Sequence, residues 1–361
     1  VIALEKNDRY FRPLTGVRAI AAYMVYLHHL NPLPKEYKNQ FIYNFLQELH
    51  IGVTLFFVLS GFLIAYRYSE KINFSFRKYL VNRVARIYPM YFILTTLTFI
   101  VLAQKNSGIN FQFLILYILN IGFIRGFFES FKFSGIAQGW SLTVEETFYF
   151  LAPVLFFFIN KSKRYLFILP VVFICSGIGL VLIFSRINFY GFFSSFEFLF
   201  NYTFFGRCLE FFIGITLALV YKNQFAKKKV KHCTLFGLIG IIVSIVLIAY
   251  LKGDYDYGIR HPIGKIINTL ILPILGIAPF YYGLLNEDTI FSKILGSNLF
   301  VLLGKSSYIF YLIHIGIFST FLHQYTKNYL FIFIAINSLS ILLFKFIEEP
   351  LNNYIRKKFA K

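Results

Sequence analysis

The chain is poor in charge. Asp, Glu, Lys and Arg make up 14% of its 361 residues, where soluble domains average about 25%. With hydrophobic residues at 58%, that shortfall excludes an ordinary soluble globule. No polar stretch is long enough to hold a soluble domain. Cysteine is also scarce. Cys175, Cys208 and Cys233 form no CxxC pair and no zinc-ligand spacing, which excludes a disulfide framework and a zinc module. There is no low-complexity tract, and no repeat with a period of roughly 20–50 residues, so a solenoid is excluded. Residues 1–13 are polar, and the first apolar run is followed by many more. A cleavable signal peptide is therefore not expected.

What the chain has is long apolar runs and aromatic bulk, with 48 Phe and 26 Tyr. The expectation is an all-α, polytopic membrane helix bundle forming a single domain over 1–361. Lipid-facing side chains and interfacial belts account for the aromatics. A crossing helix needs about 20 apolar residues. Ten such spans are expected near 14–30, 50–66, 87–103, 140–159, 165–185, 205–221, 233–251, 266–285, 299–323 and 329–346. The run FQFLILYILNIGFI at 111–124 is shorter and reads as re-entrant or interfacial.

Basic residues orient the spans. Acids number 16 against 36 bases, a formal net charge of +20. With ten spans, most bases fall on one side. They are Lys6, Arg9 and Arg12; Arg67, Lys71, Arg77, Lys78, Arg83 and Arg86; Lys161, Lys163 and Arg164; Lys222, Lys227, Lys228, Lys229 and Lys231; Lys293; and Lys345, Arg356, Lys357, Lys358 and Lys361. The positive-inside rule places that side, with both termini, in the cytoplasm. The loop at 286–298 is the exception, with two acids and one lysine. Topology accounts for the net charge, and no nucleic-acid partner is needed.

The first span carries ionisable groups. RAIAAYMVYLHHL, residues 18–30, starts on Arg18 and holds His28 and His29. In one helix, His29 lies three turns beyond Arg18, on the same stripe and about 16 Å along the axis. Ala22 and Val25 lie between them. Arg18 alone reads as a snorkelling residue, and either histidine alone as an interfacial one.

Several segments together resemble acyltransferase family 3, the multi-span bacterial O-acyltransferases of surface polysaccharides and related acceptors. They are PLTGVRAIAAYMVYLHH with Arg18 and His29, GVTLFFVLSGFLIAY at 52–66, FRKYLVNRVARIYPMYF at 76–92, WSLTVEETFYFLAP at 140–153, FFGRCLEFFIGITLAL at 204–219, SSYIFYLIH at 306–314 and FIEEPLNNY at 346–354. Thr54 departs from the pattern, where an Asp is frequent. The resemblance implies transfer of an acyl group, usually acetyl from acetyl-CoA, to a hydroxyl of a cell-envelope glycan or its lipid-linked precursor. It gives the membrane as the setting and requires no metal. It implies catalytic roles for His29 and Arg18, with His29 as general base or transient acyl carrier.

Glu145 is the expected orienter of that imidazole, as the acid of WSLxxE with Ser141 one turn before it. Glu146, about 100° further round, should face elsewhere. Arg83 and Arg86, three apart, form the family's RxxR pair and are expected to hold the phosphates of acyl-CoA. The donor's pantetheine arm would then run along the Arg18–His29 stripe. Trp140, Ser141, Glu146, Arg207, Glu210 and His314 are candidates for lining the site. Their plainer readings are a belt residue, a buried ion pair between Arg207 and Glu210, and a helix-to-helix hydrogen bond from His314. Ser60 and Gly61 read as a point of close helix approach. His50, His232, His261 and His323 receive no chemistry. The competing class is a transporter or flippase, which also places charges in spans.

Overall fold

A computed structural model describes residues 10–36, 39–70, 75–105, 108–187, 189–223 and 230–360. Lys6, Arg9, Lys71, Lys227, Lys228, Lys229 and Lys361, all counted above as inner charge, lie outside the described residues. Helices dominate, and no strand occurs among the described residues beyond one bridge between Phe128 and Phe192.

The helices run α1 Arg12–His29, α2 Gln40–Gln47, α3 Gly52–Tyr68, α4 Phe76–Lys105, α5 Phe111–Ile121, α6 Trp140–Lys161, α7 Tyr165–Phe184, α8 Phe196–Tyr202 and α9 Phe204–Asn223. They continue with α10 Cys233–Leu251, α11 Pro262–Ile266, α12 Ala278–Asn286, α13 Ile290–Leu295, α14 Asn298–Ile313, α15 Ile317–Tyr325, α16 Tyr329–Leu343 and α17 Glu349–Phe359. A π-helical stretch, Ile267–Ile277, joins α11 to α12, and a second, Phe344–Glu348, joins α16 to α17.

Among the described residues, eight helical segments are long and apolar enough to cross a membrane, or nine if the bent pair α14 and α15 is one span. They cover every expected span except the first. That one is α1, an 18-residue helix diluted by Arg12, Arg18, His28 and His29. The run at 111–124 forms α5, whose 11 residues reach about 16 Å. That is too short for a hydrocarbon layer of about 30 Å.

The span expected at 299–323 is not straight. α14 stops at Ile313, and α15 leaves it at 84°. Hydropathy is continuous here, so the cause is local. Gly316 sits at φ +93°, a left-handed conformation that a helix cannot contain and that glycine adopts without strain.

The chain forms two compact units, Val1–Lys71 with Leu209–Ser307, and Ile72–Cys208 with Tyr308–Lys361. In the first, α1 packs on α3, and α10 packs along α12 and the π stretch before it. Gly61 meets α9 so closely that a Cβ would lie 2.2 Å from the Phe211 carbonyl oxygen, which bears out the expected close approach. Arg12 ties the start of α1 to the loop before α14, donating to the Gly296 carbonyl at 2.9 Å and to Asn298 Oδ1 at 2.6 Å. Glu287 closes the start of α10. Its carboxylate accepts the Cys233 and Thr234 N–H groups at 2.6 and 3.0 Å. That satisfies donors every helix start leaves open.

In the second unit, Tyr308 donates to the Ile87 carbonyl at 2.9 Å, just before Pro89 in α4. Arg356 of α17 donates to Asn82 of α4 at 2.7 Å. The loops around 129 and 191 are pinned by Glu129, which accepts from Ser194 and pairs with Lys132 at 3.2 Å.

Candidate functional site

The first unit carries the α1 histidines. α1 runs unbroken from Arg12 to His29, so Arg18 and His29 share a stripe as expected. Ala22 and Val25 between them are buried, Arg18 is half-buried, and His29, the last helical residue, is exposed. His29 Nδ1 lies 3.0 Å from the Val25 carbonyl. A carbonyl only accepts, so Nδ1 carries the proton and Nε2 is the basic nitrogen of the neutral ring.

His28 leaves α1 about 100° round from His29, yet its ring turns toward it. Its Nδ1 donates to the Gln47 carbonyl, and its ring centroid lies 4.7 Å from that of His29. Successive side chains diverge by about 100° at Cβ, but long side chains can swing back.

Sequence reading missed the residues next to them. His50 packs edge-on against His28 at 5.3 Å, and Tyr257 leans over both rings. Glu48, fully buried, places Oε2 3.5 Å from His50 Nδ1. The only signal in sequence was an acid and a histidine just ahead of an apolar run, which reads as an interfacial turn. Burial pulls the Lys252 ammonium below its ordinary value, against the carboxylates of Glu48 and Asp256. Burial also raises the Tyr257 phenol, and Asp256 adds to that.

Thr54, the departure from the family pattern, is fully buried and donates to Asn268 Oδ1 at 3.1 Å. A neutral pair therefore stands where an acid is frequent. Glu210 is also fully buried.

The second unit carries the remaining candidates. Glu145 accepts the hydroxyl proton of Tyr149, one turn further along α6. The Arg83 guanidinium lies 5.7 Å from the centroid of that same ring. Tyr149 thus brings Arg83 and Glu145 into one neighbourhood, which their sequence separation does not suggest. Glu146 is half-buried beside them. Arg86 is half-buried and forms no hydrogen bond or ion pair with the described residues.

Ser141 belongs to a different group. Its hydroxyl bonds the Gln138 carbonyl at 3.0 Å and the Tyr311 hydroxyl at 2.8 Å. Gln138 Nε2 donates to the carbonyls of Tyr311 and Leu312 at 2.7 and 2.8 Å. Those are acceptors that the end of α14 leaves open. His314, fully buried at the break, donates from Nδ1 to the Tyr311 carbonyl at 2.7 Å. Gln138 was not foreseen, because a lone Gln before WSL carries no pattern.

Trp140 packs edge-on against Tyr202. Arg207 is buried and donates to the Asn201 carbonyl at 3.2 Å. Arg125, also unforeseen, is fully buried. It donates to the Ile136 carbonyl and lies against the Tyr91 hydroxyl, and its Nε and Nη1 meet no hydrogen-bond acceptor among the described residues. Among the described residues, no group of three or more His, Cys, Asp or Glu could hold a metal ion.

O-acetyltransferase OatA of Staphylococcus aureus (strain NCTC 8325 / PS 47) is 28% identical over 99% of this chain and 60% of its own length. A putative O-acetyltransferase of S. aureus strain COL, SACOL0978, is 26% identical over 96% of this chain and 58% of its own. The chain thus spans about 60% of the length of these curated relatives. No solved structure matches. The model of acyltransferase family 3, described as an acyltransferase domain, matches residues 13–347, and the chain belongs to that family.

Proposed function

We propose that this protein is an integral-membrane O-acyltransferase. It moves an acyl group, taken as acetyl, from cytoplasmic acyl-CoA to a hydroxyl of a cell-envelope glycan or a lipid-linked precursor. The observation that carries the reading is α1 itself. A single helix holds Arg18 and His29 on one stripe, and ends on an exposed imidazole whose basic nitrogen is Nε2. The relatives named as O-acetyltransferases support the reaction class.

In this reading, Nε2 of His29 takes the hydroxyl proton as the acceptor oxygen attacks the thioester carbon. The new C–O bond forms, the C–S bond breaks, and the leaving thiolate takes the proton back from the imidazolium. A transient acyl-imidazole reaches the same products in two steps. Arg83 and Arg86 hold the donor's phosphates, and Glu145, bonded to Tyr149, steadies the charge of the site. Arg18 guides the donor's arm toward His29. The setting is the bacterial cytoplasmic membrane with both termini inside, supported by the basic loops.

A second reading, a glycan flippase, draws on the broken α14–α15 pair, since transporters use broken helices. Purified protein in nanodiscs, given radiolabelled acetyl-CoA and envelope glycans, separates the two. Label on sugar that requires His29 supports the transferase. Unlabelled glycan crossing the bilayer of liposomes, with no label transferred, supports the flippase and overturns the transferase.

A further inference from the structure

Four segments of the first unit bring titratable groups to the end of α1. α1 supplies His28 and His29. α2 and the turn after it supply Tyr43, Glu48 and His50. Lys252 follows α10, and the next loop supplies Asp256, Tyr257 and Arg260. Lys35, in the loop after α1, also bears on Lys252.

These groups are tied together. Glu48 Oε1 accepts the Gly258 N–H at 2.8 Å, which fixes the carboxylate and turns Oε2 toward His50. Lys252 Nζ donates to Gln47 Oε1 at 2.7 Å and Asn44 Oδ1 at 2.9 Å. Gln47 in turn accepts from His28 with its carbonyl and donates to the Tyr43 hydroxyl at 2.8 Å. The rings then follow one another: His50, His28, His29.

We propose that Glu48 and His50 form a charge-compensating pair for the α1 histidines, with Glu48 a positioning residue that acts through His50 on the imidazole that takes the acceptor's proton. The proposal rests on the reading of His29 as the base. A fully buried carboxylate keeps its charge only when compensated, and His50 and Lys252 are the groups placed to do so. The same carboxylate then favours positive charge arriving on the neighbouring rings during transfer. Tyr257 covers His28 and His50 and thins the water that would screen this field.

The sign follows for two single variants. Glu48→Gln keeps an acceptor for the Gly258 N–H but removes the negative charge. The surroundings of His29 become more positive whatever the protonation of His50, so its imidazolium is disfavoured. His50→Gln removes one compensating cation while Lys252 still holds Glu48 ionised, so the imidazolium is favoured. The acid limb of the kcat/KM profile reports the free enzyme's base. It should move to lower pH in Glu48→Gln and to higher pH in His50→Gln, by roughly half to one unit each. KM for acetyl-CoA should hold within about twofold in both, since neither group touches the donor in this reading.

The test pairs that profile with an NMR titration of ring-labelled histidine in the full chain in nanodiscs. Opposite displacement of the His29 titration in the two variants supports the pair. Displacement in the same direction, or none, overturns it, since a merely structural role slows both variants without moving the titration. If Glu48→Gln does not fold, His50→Gln alone decides by moving upward or not. If the wild-type chain transfers no acyl group, the transferase reading fails. The NMR titration then still decides whether the pair exists.

Discussion

Two histidine neighbourhoods differ in kind. At the end of α1, His29 is exposed, His28 and His50 are half-buried, and the three stand among Glu48, Lys252 and Tyr257. At the α14–α15 break, His314 is fully buried and bonds a carbonyl, within a group otherwise made of Gln138, Ser141 and Tyr311. The first is the group to which the proposed function assigns proton exchange with a substrate. The second satisfies the open end of a helix with neutral groups. A histidine in a span is thus read by its company and exposure rather than by its depth.

His29→Ala gives the sharpest test of that contrast. Transfer should fall by about 10²-fold or more, with the melting temperature only slightly lowered, because the side chain is exposed at the helix end. His314→Phe should do the reverse, keeping turnover within a few-fold while lowering the melting temperature. Equal loss of turnover in both would erase the distinction.

Arg83→Ala with Arg86→Ala should weaken acetyl-CoA binding by roughly tenfold or more, as two charge-assisted contacts are lost. An unaltered donor Kd in calorimetry would remove the pair from the donor site.

Gln138→Leu strips the Leu312 carbonyl of its side-chain donor and leaves the Tyr311 carbonyl to His314 alone, and should cost roughly 1–3 kcal/mol, read by thermal unfolding in detergent. No loss would show that the break stands without its cap.

Glu287→Ala is the smallest effect, about 1 kcal/mol, and a control remote from chemistry. Burial raises this carboxyl, but bonds from Thr234 and Cys233 outweigh it and hold the group below its ordinary range. Its stabilisation is therefore complete above the unfolded-state value and is lost as pH falls through the folded-state value. The gap between wild type and variant should close on acidification, with turnover unaffected throughout.

Much of this was legible in the sequence. Long apolar runs located the spans because hydrocarbon leaves few alternatives to a helix. Arg18 and His29 were legible because ionisable residues in such a run are few. The 84° break was not, since hydropathy runs through it and only Gly316 marks it. The approach of His28 to His29 was hidden for another reason: helical spacing fixes where Cβ points, and ring position depends on Gln47, nineteen residues away. Glu48 and His50 looked like a polar turn because Gly258, which fixes Glu48, lies 210 positions further along.

The π stretch at Ile267–Ile277 has an evolutionary consequence. A wide turn holds a residue that a regular helix would not need. Loss of one codon there restores ordinary winding without breaking the rod, and α12 keeps its face toward α10, because the wide turn already takes up the extra residue. A lineage can thereby shed or gain one residue next to Asn268 while the flanking helix holds its packing.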